Sequence, residues 1–245
     1  MTDRYAVVGN PVAHSKSPQI HAEFARQTGQ DMVYEKLLAP LDAFRESVEA
    51  FRRAGGKGLN VTVPFKEEAF RYASHKTARA EAAGAVNTLK FENGEIVGDN
   101  TDGAGLVRDI SFNLNFPLQG KTVLLVGAGG AGRGVAKPLL DQEPSRLVIV
   151  NRNVNRAYDL IEMLGYGKPE SVMACDFESL DSTFDLVINA TSASLKGELP
   201  PLPEYLFNPG ALAYDMMYGA ETTFMAWARA HGAATISDGL GMRVE

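Results

Sequence analysis

The chain has a single cysteine, Cys175, among its 245 residues, so no intrachain disulfide can staple it. Long uncharged apolar runs are also missing: the opening MTDRYAVVGN holds neither a secretory apolar core nor a span of membrane length. These absences predict a reducing, cytoplasmic setting, in which the NVT at Asn60 and the NAT at Asn189 carry no glycosylation meaning. A basic excess is lacking as well. Lys plus Arg total 24 against 30 Asp plus Glu, a net charge of -6 without like-charge blocks, which argues against a broad nucleic-acid-binding field and for small-molecule chemistry. His14, His21, His75 and His231 show no metal-ligand clustering with Cys175 or carboxylates, so no metal is expected. GGKG lacks the spacing and the Ser/Thr of a P-loop. Neither a solenoid repeat nor a low-complexity linker is present.

What the sequence does hold is apolar: 45% of its residues are hydrophobic, enough for two small cored domains or one large one. Up to GDNTDG, short strand candidates (YAVVG, YEKLLA, LNVTV, VNTLKF, EIVGD) alternate irregularly with helices. SPQIHAEFARQTG offers Ser17 as N-cap, Pro18 at the first helical position and Gly29 as the stop. DAFRESVEAFRRAGG spaces Phe44, Val48 and Phe51 along one helical face and ends in Gly55 and Gly56. Asn93-Gly94 predicts a tight hairpin. This half reads as α/β with some antiparallel pairing.

Beyond residue 120 the rhythm turns regular. TVLLVG, RLVIVN, SVMACD, FDLVINA, ALAYDMM and ATISD are continuous apolar strands separated by helices or short connections, the pattern of a parallel sheet covered on both faces. Gly127 to Gly132 fits G-x-G-x-x-G between a strand and a helix, where glycines let the backbone approach a pyrophosphate and helix N–H groups meet its charge. Pro138 inside that helix should kink or shorten it. After RLVIV, where an NAD site carries Asp or Glu, stand Asn151, Arg152 and Asn153, with Arg156 in the first turn of the next helix if Asn153 caps it. A cation there costs about 0.3–1 kcal/mol against the helix dipole, a penalty that a bound phosphate reverses. NADP is favoured over NAD. The predicted fold class is α/β: an N-terminal α/β domain plus a Rossmann-like doubly wound parallel-sheet domain, with a cleft between them.

Single residues are ambiguous by themselves. Lys66 in NVTVPFKE, just ahead of a helix EEAFRYA begun by Glu67 and Glu68, reads equally as a surface charge, Asp102 as a helix-start acid, Ser17 as an N-cap, and Asn60, Thr62 and Asn87 as local backbone partners. Together, GNPVAHSKSPQIH, GGKGLNVTVPFKE, GAVNTL, GDNTDGAG, VGAGGAGRG, VNRNVNRA, INATS, YDMMY and DGLGM resemble the shikimate dehydrogenase family, in that family's order and over nearly the whole chain.

The resemblance implies NADPH-dependent reversible reduction of 3-dehydroshikimate to shikimate, on the route to chorismate and aromatic amino acids. It implies a substrate-binding and catalytic domain over 1–101, with 238–245 returning toward it, and an NADP-binding domain over 102–237. Ser15 and Ser17 would hold the substrate carboxylate; Asn60, Thr62, Lys66, Asn87 and Asp102 would meet its ring hydroxyls, with Tyr218 completing the pocket. Lys66 would act as acid/base, oriented by Asp102 across the cleft. On the cofactor side it implies Gly127, Ala128, Gly129, Gly130 and Ala131 for the pyrophosphate, and Asn151, Arg152, Asn153 and Arg156 for the phosphorylated adenosine. Thr191, Met216, Gly239 and Met242 would lie around the ribose and nicotinamide. The partners expected are the small-molecule substrate, neither nucleic acid nor membrane, with a homodimer left open. Family members normally continue after DGLGM into a helical segment bearing a substrate-binding Gln. This sequence stops at Arg243, Val244 and Glu245, and Arg243 replaces a usually apolar residue, so weaker substrate affinity or a less stable first domain is expected. The alternatives are a quinate/shikimate enzyme of broader specificity and a non-catalytic NADP-binding module.

Overall fold

The computed structural model describes residues 2–165 and 171–244. The chain divides into two compact units, Met1–Thr101 and Asp102–Glu245.

The first unit runs β1 (Asp3–Gly9), α1 (Ser17–Thr28), β2 (Met32–Leu38), α2 (Phe44–Arg53), β3 (Gly56–Val61), α3 (Lys66–Tyr72), β4 (His75–Lys76), α4 (Ala78–Ala83), β5 (Thr88–Glu92) and β6 (Glu95–Asp99). Its sheet has the order β2-β1-β3-β5-β6-β4, with β1 parallel to β2 and β3, and β5 antiparallel to β3 and β6. The hairpin between β5 and β6 turns on Asn93 and Gly94, both at positive φ, as the dipeptide predicts. Phe44, Val48 and Phe51 of α2 are buried with Leu59, Val61, Phe65 and Leu89 in one core. Ala54 caps α2 and Gly55 takes φ 90°, while Gly56 already opens β3.

Two local expectations need correcting. Ser17 is not the N-cap of α1 but its first residue; Lys16 takes the flanking position and supplies no side-chain cap. The Ser15 hydroxyl accepts from the Ser17 N–H at 3.3 Å, so that donor is satisfied from two residues upstream. Lys66 likewise does not precede the helix that Glu67 and Glu68 were expected to begin; it opens α3.

The second unit runs α5 (Asp102–Arg108), a π-helical turn (Asp109–Asn113), β7 (Thr122–Val126), α6 (Gly130–Leu140), β8 (Arg146–Val150), α7 (Val154–Met163), β9 (Val172–Cys175), β10 (Phe184–Asn189), a 3₁₀ turn (Ala193–Lys196), β11 (Phe207–Asp215), α8 (Thr223–Ala230), β12 (Thr235–Asp238) and α9 (Leu240–Val244). All strands are parallel, in the order β12-β11-β10-β7-β8-β9, which is the doubly wound arrangement. Successive residues alternate between two cores: Val123, Leu125, Leu147, Ile149, Leu186 and Ile188 face one layer, Leu124, Val126, Val148, Val150 and Val187 the other. Burial on both faces explains why these strands read as unbroken apolar runs.

Helix α6 runs through Pro138 to Leu140 instead of ending before it. Pro138 sits in the last turn, so only one bond, to the Gly134 carbonyl, is forfeited. That stretch is where α5 comes close: a Cβ on Gly103 would lie 2.6 Å from the Gly134 oxygen and 2.2 Å from Pro138 Cγ. Residues 238–244, expected to return toward the first domain, belong to the second unit, where α9 packs on α5. No described helix is long and apolar enough to cross a membrane.

Candidate functional site

In the first unit, the expected substrate residues gather at one edge of the sheet. β1 and β3 are parallel, so the loop after β1, which carries Ser15 and leads into α1 at Ser17, lies at the same edge as the end of β3. β5 runs antiparallel to β3 and therefore begins at that edge, just after Asn87. Backbone bonds lace the segments together: Val61 N–H donates to the Asn87 carbonyl at 2.7 Å, Val86 N–H to the Lys66 carbonyl at 2.9 Å, and Asn87 N–H to the Asp99 carbonyl at 3.0 Å. Thr62 lies one residue past β3, and its N–H donates to the Val8 carbonyl at 2.9 Å as a last rung.

The side chains there are polar yet buried. Ser15 and Asn87 are nearly inaccessible, and the Ser15 hydroxyl donates to that of Ser17 at 3.1 Å. Lys66 is only 3% exposed, an unusual state for a side chain that is almost never fully buried without a partner. Its place in the first turn of α3 sets its charge toward the positive helix end, where Glu67 and Glu68 are the complementary residues. Asn60 accepts from the Tyr34 hydroxyl at 2.5 Å. The His21 ring stacks on Tyr34, with centroids 4.2 Å apart and planes 5° from parallel. Burial holds the His21 imidazole below its ordinary pKa, partly opposed by a hydrogen bond to Asn60.

In the second unit, the expected cofactor residues follow the strands closely: Gly127 directly after β7, Asn151 after β8, Met216 after β11 and Gly239 after β12, with Thr191 two residues past β10. They therefore line the carboxyl edge of the sheet. β7 and β10 are neighbours from which the chain departs in opposite directions, the switch point where doubly wound sheets take ligands. Gly127 has φ 107°, and a Cβ on it would come within 3.0 Å of Thr191 Cγ2. A Cβ on Gly132 would lie 2.0 Å from the Gly127 oxygen, while one on Gly129 would meet nothing within 4 Å. Tight packing beneath and open space above give a backbone cradle at the start of α6 that fits a pyrophosphate.

Asn151 does more than point outward. Its Oδ1 accepts from the Ala128 N–H at 3.1 Å and its Nδ2 donates to the Asn153 carbonyl at 2.8 Å, tying the glycine turn to the segment after β8. Asn153 caps α7, accepting from the Asn155 N–H, and Arg156 lies in that helix's first turn. Arg152 is exposed and Arg156 half-buried; residues 151–156 contain no carboxylate, so the donor set fits a phosphorylated ribose better than bare hydroxyls.

Deeper in the second unit, Asp215 is fully buried. Burial pushes its carboxyl pKa up, and donors oppose that rise: the Thr222 hydroxyl at 2.6 Å, the Met217 N–H at 2.9 Å, the Ser194 hydroxyl at 3.0 Å and Asn189 Nδ2 at 3.2 Å. Asn189 Oδ1 in turn accepts from the Thr191 hydroxyl at 2.7 Å, so one carboxylate organises the loops after β10 and β11. Gly239 fits against the Met216 carbonyl, which a Cβ would approach to 2.4 Å. Asp238 accepts from the Gly219 and Leu240 N–H groups, holding the turn after Tyr218 and the start of α9. Met242 is buried beside α5, where a Cβ on Gly105 would lie 2.3 Å from its carbonyl oxygen. The Arg243 guanidinium, unexplained by sequence, stands 5.6 Å from the Tyr218 ring centroid in cation–π contact. Asp102, in the first turn of α5, is 3% exposed.

Tyr34, His21, Thr88, Asp215 and the Tyr214–Asp109 bond of 2.6 Å were not singled out from sequence, and each has a partner far along the chain. Asp215 alone left a local sign, a carboxylate closing an apolar strand. No group of three or more metal-ligating side chains occurs among the described residues.

Both halves of the chain match known families. Residues 7–89 match the shikimate dehydrogenase substrate binding domain, and residues 111–196 match shikimate / quinate 5-dehydrogenase. The NADP(+) shikimate dehydrogenase of Janthinobacterium sp. (strain Marseille) is 60% identical over 245 residues, covering 100% of this chain and 89% of the relative. Among solved structures, an Ael1 enzyme from Pseudomonas putida aligns with a TM-score of 0.87 at 47% identity, covering 99% of this chain and 89% of that one. The shikimate 5-dehydrogenase of Thermus thermophilus, solved with NADP(H) and shikimate, aligns at 0.84 with 34% identity and the same coverages. Matched in both halves and along its whole length, the chain belongs to the shikimate dehydrogenase family.

Proposed function

We propose that this protein catalyses the NADPH-dependent, reversible reduction of 3-dehydroshikimate to shikimate. The observation that carries the reading is Lys66: a lysine 3% exposed, opening the helix that follows the strand presenting Asn60, on the sheet edge that also bears Ser15, Ser17 and Asn87. The Lys66 ammonium stabilises negative charge building on the carbonyl oxygen and gives that oxygen its proton; in the reverse direction the neutral amine takes the proton back. Asp102, equally buried at the start of α5, is the second acid/base group. Ser15 and Ser17 hold the substrate carboxylate, and Asn60, Thr62, Asn87 and Tyr218 pair with its hydroxyls. A site built of matched donors and acceptors rejects analogues that lack a hydroxyl, because its own buried groups are then left unpaired.

The second unit holds the cofactor, whose nicotinamide supplies the hydride when bound. Gly127 to Ala131 form the turn that takes the pyrophosphate: the N–H groups of Gly127 and Ala128 are given to the Val150 carbonyl and Asn151 Oδ1, and those at the start of α6 meet the phosphates, while Asn151, Arg152, Asn153 and Arg156 take the phosphorylated adenosine. Thr191, Met216, Gly239 and Met242 bound the nicotinamide end. A single, half-buried cysteine suits a cytoplasmic setting.

Lys66→Ala tests the assignment. Shikimate-dependent turnover is expected to fall by about 10²–10⁴, the usual worth of a positioned acid/base, with NADP affinity retained. Turnover at the parent rate would remove Lys66 from the chemistry.

A further inference from the structure

The amides of Asn60 and Asn87 are joined by a run of hydrogen bonds that crosses the first sheet. It starts on β2, where Tyr34, braced by the His21 ring, reaches past β1 and donates to Asn60 Oδ1 at 2.5 Å. Asn60 Nδ2 donates to the Thr88 hydroxyl at 3.2 Å; the two residues are direct cross-strand partners of β3 and β5. The Thr88 hydroxyl donates to Asn87 Oδ1 at 2.9 Å, and Asn87 Nδ2 donates to the Thr101 hydroxyl at 3.0 Å. Finally, the Thr101 N–H donates to the same Asn87 Oδ1 at 3.1 Å.

Backbone groups set the sense of this run. Hydroxyls both give and accept, and an amide can turn over, so most of its members could be reversed together. A backbone N–H can only donate. The Thr101 N–H therefore requires Asn87 to present Oδ1, which receives the Thr88 proton. Thr88, its proton spent, accepts from Asn60 Nδ2, and Asn60 Oδ1 is left facing the Tyr34 hydroxyl. The polarity of the Thr101 peptide group thus reaches Asn87 directly and Asn60 through the Thr88 hydroxyl, and the longer bond from Asn60 Nδ2 to the Asn87 carbonyl, 3.5 Å, runs in the same sense.

We propose that Tyr34 and Thr88 are positioning residues that set which end of the Asn60 and Asn87 amides meets the substrate, and so which ring hydroxyls are accepted as donors or acceptors. The proposal rests on the reading of Asn60 and Asn87 as substrate contacts. Its test uses the full chain carrying Thr88→Val, Thr88→Ser or Tyr34→Phe, with Asn60→Ala and Asn87→Ala in parallel. Shikimate KM, NADP KM and kcat are measured for each.

Thr88→Val keeps the shape and loses the hydroxyl, and should raise shikimate KM roughly three- to tenfold, the worth of one net hydrogen bond, with NADP KM unchanged and kcat less affected. Thr88→Ser should restore the parent value. Tyr34→Phe should raise the same constant, and its effect combined with Thr88→Val should fall short of the product of the two, because both act through one network. A parent KM in Thr88→Val, or equal impairment in Thr88→Ser and Thr88→Val, overturns the proposal. If Asn60→Ala and Asn87→Ala leave shikimate KM unchanged, the substrate reading of those residues fails and the proposal falls with it. If they raise KM while Thr88→Val does not, the positioning role alone is wrong.

Discussion

The two units hold their candidate site residues by different means. In the first, polar side chains hold one another: Tyr34, Asn60, Thr88, Asn87 and Thr101 are bonded in series across a mixed sheet. In the second, much of the holding is done by backbone brought close by missing side chains, at Gly132 under Gly127 and Gly239 against Met216. The difference follows from sheet type. Antiparallel pairing of β3 with β5 sets Asn60 and Thr88 directly opposite, so side chains can bond across strands. Parallel strands instead end together at one edge, where loops and a helix N-terminus offer N–H groups to an anion. The first unit should therefore be sensitive to lost hydroxyls and the second to added methyl groups.

The largest expected effect that separates them is Gly132→Ala. Its Cβ would stand 2.0 Å from the Gly127 oxygen, so the cradle must shift. An overpacking cost of about 1–3 kcal/mol corresponds to NADP affinity weakened roughly 5- to 150-fold, while shikimate affinity holds. Calorimetric titration of each ligand checks this, and unaltered NADP binding would break the comparison. A smaller effect belongs to His21. Because burial keeps its folded-state pKa below the ordinary 6.5, the unfolded chain takes up a proton first as the pH drops. The stability it contributes is present above 6.5 and is lost as pH falls through the lower folded value. Melting temperatures recorded from neutral to mildly acidic pH should therefore decline less steeply in His21→Asn, and identical slopes would count against the buried, neutral imidazole.

What the sequence made legible was local. The apolar runs from TVLLV to ALAYD, the glycine turn, the Asn153 cap and the Asn93-Gly94 hairpin all announce themselves within a few residues, and the structure has each in place. Ser17 was misplaced because Ser15 and Ser17 both carry a hydroxyl near Pro18, and residue type alone does not say which one faces the helix N–H groups. Pro138 looked disruptive because its lost bond was visible in sequence, whereas the close approach of Gly103 to that turn was not.

The candidate site was legible only in its motif residues. Lys66, Asn60 and Asn87 stand in motifs that can be recognised, but the burial of Lys66 depends on packing that no stretch of sequence displays. Tyr34 and Thr88 sit in ordinary strands, and their importance arises from register: Thr88 opposite Asn60, and Tyr34 one strand beyond β1. Arg243, an oddity in sequence, finds its contact in the ring of Tyr218.

The most direct measurement is the initial rate of NADP reduction by this chain with shikimate, compared with quinate as substrate and with NAD as cofactor. Steady NADPH formation with shikimate, much slower with either replacement, is the result predicted by Lys66, the paired serines and the carboxylate-free segment from Asn151 to Arg156. Tight NADP binding with no shikimate-dependent turnover would contradict it.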